Sequence, residues 1–168
     1  MSTTCSSTIQ NDISYTLVTT VGGQTQSETA SLGYSQSLTD GTGSLQNNYG
    51  VTVSGNIAAG KVSYLNFEAL NKQVFNASAS INFSAIKSVA IQNTSTGNDL
   101  LVRATGSNVF NEIFNGGSGN VRVKPYAVYS YSDPSSGAVV NSSNKNLQIK
   151  NAGASTTTYQ MIVVGVTG

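Results

Sequence analysis

The segment Gly55-Asn56-Ile57-Ala58-Ala59-Gly60-Lys61 has the bare glycine-to-lysine spacing of a phosphate-binding loop. That chemistry needs a hydroxyl after the lysine to ligate magnesium and a helix whose first amides meet phosphate. Val62 follows Lys61, and the next residues alternate as a strand does, so the segment is expected to be the turn of a β-hairpin. Acid–base chemistry has little to work with. Histidine, the commonest general base and metal ligand, is absent. The seven carboxylates (Asp12, Glu28, Asp40, Glu68, Asp99, Glu112 and Asp133) are scattered, mostly near turns. Residues 93–99 are rich in oxygen but lack the alternating acids and terminal glutamate of a calcium-binding EF-hand loop. The expectation is a non-enzymatic protein with no catalytic residues, no metal and no cofactor.

Recognition chemistry is better represented. The eight basic residues are spread from Lys61 to Lys150, with only Arg122 and Lys124 close together. On a strand those two share a face, too small a patch to track a nucleic-acid backbone. In Tyr126-Ala127-Val128-Tyr129-Ser130-Tyr131 the spacing puts Tyr126 on one face of a presumed strand and Tyr129 and Tyr131 on the other. Tyrosine combines apolar area with a hydroxyl and suits core edges, interfaces and sugar platforms alike. Tyr126, Tyr129, Tyr131, Arg122 and Lys124 are therefore the candidate interface residues. The sequons at Asn76, Asn82, Asn93 and Asn141 follow from composition and carry no functional weight.

The elements that must position these residues are strands. Ile13, Tyr15 and Leu17 alternate with polar neighbours, as do Val51 and Val53, Val62 and Tyr64, Leu65 to Ala69, Ile81 to Ile91 and Leu100 to Arg103. The pattern continues through Val121 to Val123, Ala127 to Tyr131, Leu147 to Ile149 and Tyr159 to Val166. About nine or ten short strands separated by Gly/Asn/Ser turns predict an all-β, antiparallel sandwich of jelly-roll type. Little or no helix is expected, the best candidate being one turn within residues 108–114, placed to cover an end of the sandwich. Residues 1–11 are polar and aperiodic and read as a flexible N-terminal arm. Residues 12–168 form a single domain, within which 22–48 is the least regular part, long loops or an edge strand.

Only 9% of the residues are charged, against roughly 25% in an ordinary soluble domain. The formal net charge is +1, so little repulsion keeps copies apart. Such a surface is expected to work packed against copies of itself or against a partner shell. Cys5 is the single cysteine, which excludes an internal disulfide. No apolar run approaches the roughly 18 residues of a membrane span, and the first residues lack a signal-peptide pattern. Synthesis in the cytoplasm without membrane association is expected.

From Leu38 to Gly165 the chain resembles a group of small structural proteins of tailed bacteriophages and prophages. The resemblance is carried by Leu38-Thr39-Asp40-Gly41-Thr42-Gly43, residues 83–93, Gly106-Ser107-Asn108-Val109-Phe110, Val121-Arg122-Val123-Lys124-Pro125, Leu147-Gln148-Ile149-Lys150-Asn151 and Ile162-Val163-Val164-Gly165. After Pro125 the family pattern tends to have a glycine pair where this chain has Tyr126-Ala127, so turn geometry is expected to differ there. The resemblance implies a virion protein, foremost a capsid decoration or auxiliary protein that binds the assembled shell. The implied partners are the major capsid protein or other virion proteins and further copies of the chain, with a trimer as the expected homo-oligomer. A tail, baseplate or fibre component is the alternative, and a carbohydrate-binding module in host adsorption is the second.

Overall fold

The computed structural model describes residues 4–21, 23–74, 77–114 and 119–168. In chain order the strands are β1 (Ser7–Val21), β2 (Gln24–Asp40), β3 (Gln46–Asn47), β4 (Tyr49–Ile57), β5 (Val62–Asn66), β6 (Leu70–Val74) and β7 (Ala77–Ile81). They continue as β8 (Phe83–Asn93), β9 (Leu100–Arg103), β10 (Asn120–Val123), β11 (Val128–Ser132), β12 (Ala138–Val139), β13 (Asn146–Asn151) and β14 (Thr157–Thr167). A 3-10 turn, Glu112–Phe114, lies between β9 and β10.

Two sheets make the body. One has the order β11-β8-β14-β4, with β12 also pairing β8, and the other runs β10-β9-β13-β5. The pairings are nested: β4 with β14, β5 with β13, β8 with β11 and β9 with β10. Taken in chain order, the first of these eight strands pairs with the last and the second with the seventh, and so inward. That is one long antiparallel ribbon rolled over on itself, a jelly roll.

Alternation drives the packing. In β14, Thr157, Tyr159, Met161 and Val163 are buried, while Thr158, Gln160, Ile162 and Val164 face outward. Phe67, Phe83, Ile91, Leu147 and Met161 meet in the core between the sheets. Phe67 and Phe110 pack edge to face with ring centroids 4.9 Å apart. The 3-10 turn buries Ile113, so the short helical element expected within 108–114 does close part of the core.

Central strands β8 and β14 slip register between Val164, opposite Ser88, and Gly165, opposite Ile86. Lys87 is the extra residue, a β-bulge that sharpens the local twist. Its side chain is buried, and Nζ donates to the Ser135 carbonyl at 2.7 Å.

Sequence expectations are refined or corrected at four places. Of the two readings of residues 22–48, long loops or an edge strand, the strand is found: β2 is 17 residues long and pairs with β1 from Gln24 to Leu38 and with β3 through Thr39 and Asp40. The expected arm boundary at residue 11 falls inside β1, whose strand starts at Ser7, and Met1–Thr3 lie outside the described residues. Fourteen strands are present among the described residues rather than nine or ten. The turn at 58–60 is also not that of a hairpin. β4 and β5 belong to different sheets, and the turn, closed by the Lys61 amide on the Ala58 carbonyl at 3.0 Å, carries the chain across the sandwich. Of the sequons, Asn76 lies outside the described residues.

Candidate interaction surface

The proposed interface residues separate into two environments. Tyr129 and Tyr131 do share a face of β11, and that face is the inner one, opposite Ile91 and Val89. Both rings pack against the core. The Tyr129 hydroxyl donates to the Ile113 carbonyl at 2.8 Å, and its ring stacks on Phe114. Burial pushes the Tyr129 phenol up. Burial also raises Tyr131, with the charges of Asp133 and Glu112 adding to it. For Asp133, burial alone would raise the carboxyl, yet donation from the Ser135 hydroxyl and from the Ser135, Ser136 and Gly137 amides holds it below the ordinary aspartate value.

Tyr126 is not on the strand. It sits in the turn that precedes β11, closed by the Ala127 amide on the Lys124 carbonyl at 3.0 Å, with its ring exposed. Its φ is 63°, the left-handed region. Proline in the second position and a left-handed residue in the third is an arrangement that favours glycine. This is where the turn was expected to depart from the family pattern, and tyrosine occupies a position suited to glycine. Left-handed backbone costs a non-glycine residue about 1–2 kcal/mol, and the added flexibility of glycine in the unfolded chain takes back about 0.4–1 kcal/mol. Tyr126→Gly is therefore expected to raise stability by about 0.5–1 kcal/mol, seen as a higher urea midpoint with unchanged slope.

Arg122 and Lys124 converge on one carboxylate. Both donate to Asp99 Oδ2, at 3.1 and 3.2 Å, and both remain largely exposed. Exposed pairs of this kind contribute little to stability. Their effect is to leave the patch with one net positive charge.

Sequence reasoning missed the largest exposed feature. β1 and β2 form a hairpin in which Ser7 pairs with Leu38 and Val21 with Gln24. Cross-strand partners share a face, so one face of the ribbon holds Ile9, Ile13, Tyr15, Leu17, Ala30, Leu32, Tyr34 and Leu38, interspersed with Asn11 and Gln36 near the base and with Glu28, Thr19 and Gln26 toward the tip. The opposite face holds Ser, Thr, Gln and Asp, with Val18 and Gly33 as exceptions. At the base the apolar face is covered, with Leu38 at 1% and Ile9 at 8% exposure. Asp40 accepts from the Cys5 amide there, and Asn47 donates to Cys5 Sγ. Past the base the same face has no cover: Ile13 is 73% and Leu32 77% exposed, and Tyr15, Leu17 and Tyr34 are exposed as well. At about 3.3 Å per residue, the tip stands roughly 40 Å beyond Ile9.

A second uncovered surface lies on the outer face of the five-stranded sheet. Its rows read Val128, Gln92, Gln160, Ser54, then Ser130, Ala90, Ile162, Thr52, then Ser132, Ser88, Val164, Gly50. None of these twelve positions is charged, and Val128 and Ile162 are exposed. The arm base and this face together line a cleft of about 280 Å³.

No family model matches the chain, and no curated protein matches it. Among solved structures it is similar to a de novo designed double-stranded beta-helix at 12% identity, over 66% of this chain and 95% of that one, with a TM-score of 0.35. It is also similar to the Yersinia pseudotuberculosis-derived mitogen at 16% identity, over 70% of this chain and 86% of that one, with a TM-score of 0.34.

Proposed function

We propose that the chain is a non-enzymatic structural subunit of a tailed-phage virion, a decoration or auxiliary protein on the assembled capsid shell. The observation that carries the assembly reading is the arm. A two-stranded ribbon is marginal in water by itself, and this one exposes all its large apolar residues but Val18 on a single face. At on the order of 100 Å² each, Ile13, Tyr15, Leu17, Leu32 and Tyr34 make an apolar patch of the size that marks an interaction site on a monomer. The jelly-roll body and its weakly charged surface suit a protein that works packed among neighbours. The virion setting rests on the resemblance carried by residues 38–165. Binding the assembled shell in preference to its free subunits would stabilise the shell by mass action. Of the three tyrosines that suggested a sugar platform, Tyr129 and Tyr131 are engaged in the core edge and Tyr126 alone is exposed.

Cryo-electron microscopy of the purified virion tests this reading. Density for the chain on the icosahedral shell is the expected result. Density confined to the tail would reassign it to a tail part, and absence from the particle would end the virion reading.

A further inference from the structure

The arm exposes an apolar face and the body exposes an uncharged sheet face, on the same chain. We propose that the hairpin arm of one copy lies with its apolar face on the outer face of the five-stranded sheet of a second copy. This names the partner of the arm and rests on the assembly reading above.

Three observations select that occupant. The first is continuity. The arm's apolar face is already buried against its own body through Ile9 and Leu38, and the arm base shares a cleft with Ala90, Val128, Ile162 and Val164. The contact proposed between copies extends the surface chemistry that one chain already brings together.

The second is charge. Residues 1–40 contain Asp12, Glu28 and Asp40 and no lysine or arginine, a formal charge of −3. The remaining residues hold all eight basic side chains and four acids, giving +4. Arm against arm sets like charges together, whereas arm against body sets opposite ones together. The receiving face itself is uncharged, and the one carboxylate on the arm's apolar face, Glu28 opposite Leu17, accepts from the Tyr15 hydroxyl at 3.0 Å.

The third is area. The exposed apolar side chains of one arm offer roughly 500 Å², so two reciprocally exchanged arms and the faces they cover remove about 2,000 Å² from water, within the range of stable interfaces. A lone arm contact would fall short. Reciprocal exchange also closes the assembly, so that no arm is left to recruit further copies.

Sedimentation velocity of the full chain at about 100 µM, well above the dissociation constant expected for such an interface, is the test. Ile13→Thr/Leu32→Thr removes the central cross-strand pair of the arm, and Val128→Thr/Ile162→Thr removes the apolar centre of the sheet face. All four side chains are exposed, and threonine keeps strand propensity, so the unfolding midpoint of the body reports folding separately. The expected result is a wild-type oligomer and at least tenfold weaker self-association in each double variant. Mixing the two variants restores one intact arm on one intact sheet, and a hetero-oligomer is expected there. A monomeric wild type would overturn the inference. An oligomer that the arm variant dissolves and the sheet variant leaves intact would overturn it in favour of arm-to-arm packing. A monomeric chain still found on the shell of the virion would sink the exchange while leaving the shell reading standing.

Discussion

Gly165→Ala is expected to cost about 3 kcal/mol or more, a large share of the roughly 5–15 kcal/mol that holds a domain of this size together. Gly165 sits where β14 and β8 shift register, opposite Ile86, near the end of a central strand of the larger sheet. A Cβ there would lie 2.2 Å from the Ala85 carbonyl oxygen, 3.0 Å from the Phe83 ring and 3.2 Å from the Ile86 Cα. Two of those three neighbours are backbone atoms, so no rotamer change relieves the contact. The two central strands would have to part by about an ångström or more, breaking the ladder between the longest pair of strands in the body. Gly97→Ala is the control: it lies in a turn with nothing within 4 Å of a Cβ, and a change within about 0.5 kcal/mol is expected. Urea unfolding of both variants checks the pair. Equal, small effects would mean that the bulge yields easily and that the close approach is not a constraint.

The body was legible in the sequence because its strands are half-buried on one side. β8 and β14 alternate on either side of their bulge, and the fold class follows from counting such runs between Gly/Asn/Ser turns. Pairing was not legible. Tyr49 opposite Gly165 is a contact across almost the whole body, and alternation carries no information about which strand lies alongside. For the same reason β4 and β5 looked like a hairpin. A tight turn between two alternating segments reads identically whether they pair or pass to opposite sheets.

The arm was half legible. The apolar stripe of β1 showed because Ile13, Tyr15 and Leu17 recur at period two. β2 did not, because Ala30, Leu32, Tyr34 and Leu38 are spread among Ser, Gln, Thr and Gly, and no single stretch of it looks buried. It is not buried, which is why its composition resembles a loop. The signal that would have found it is the pair Gly22-Gly23 between two alternating runs, with Gly23 at a φ of 80°. The tyrosines erred in the other direction. Spacing placed Tyr129 and Tyr131 together, but period two does not say which face is inside, and the bulky pair went to the core edge. Tyr126 fell off the strand because Pro125 precedes it and fixes a turn.

Asn93 is a second position whose loss is expected to be large, and it was invisible as anything but a turn residue. It is fully buried at the end of β8, and all of its amide is used. Nδ2 donates to the Asn98 carbonyl at 2.7 Å and to the Val123 carbonyl at 2.9 Å, and Oδ1 accepts from the Ser95 amide and hydroxyl at 3.1 and 2.6 Å. One side chain thus ties the 95–98 turn and the end of β10 to the central strand. Asn151 makes the same kind of brace at the end of β13, donating to the Ile57 and Ser155 carbonyls and accepting from the Gly153 amide. Asn93→Ala strands those donors and acceptors in a dry site and is expected to cost about 2–4 kcal/mol. Asn93→Asp keeps the shape and separates hydrogen bonding from packing. Its carboxylate would face two carbonyl oxygens, so burial and the loss of both donors favour the protonated acid in the folded state. A carboxyl whose folded pKa lies above its unfolded value binds more protons when folded, so stability falls as pH rises through that interval. The Asp variant is therefore expected to be closer to wild type at pH 4 than at pH 7, while the Ala variant shows the same deficit at both. Unfolding midpoints of the three proteins at the two pH values decide it. A pH-independent deficit in the Asp variant would mean that water reaches the site and that the two carbonyls are not held against the side chain.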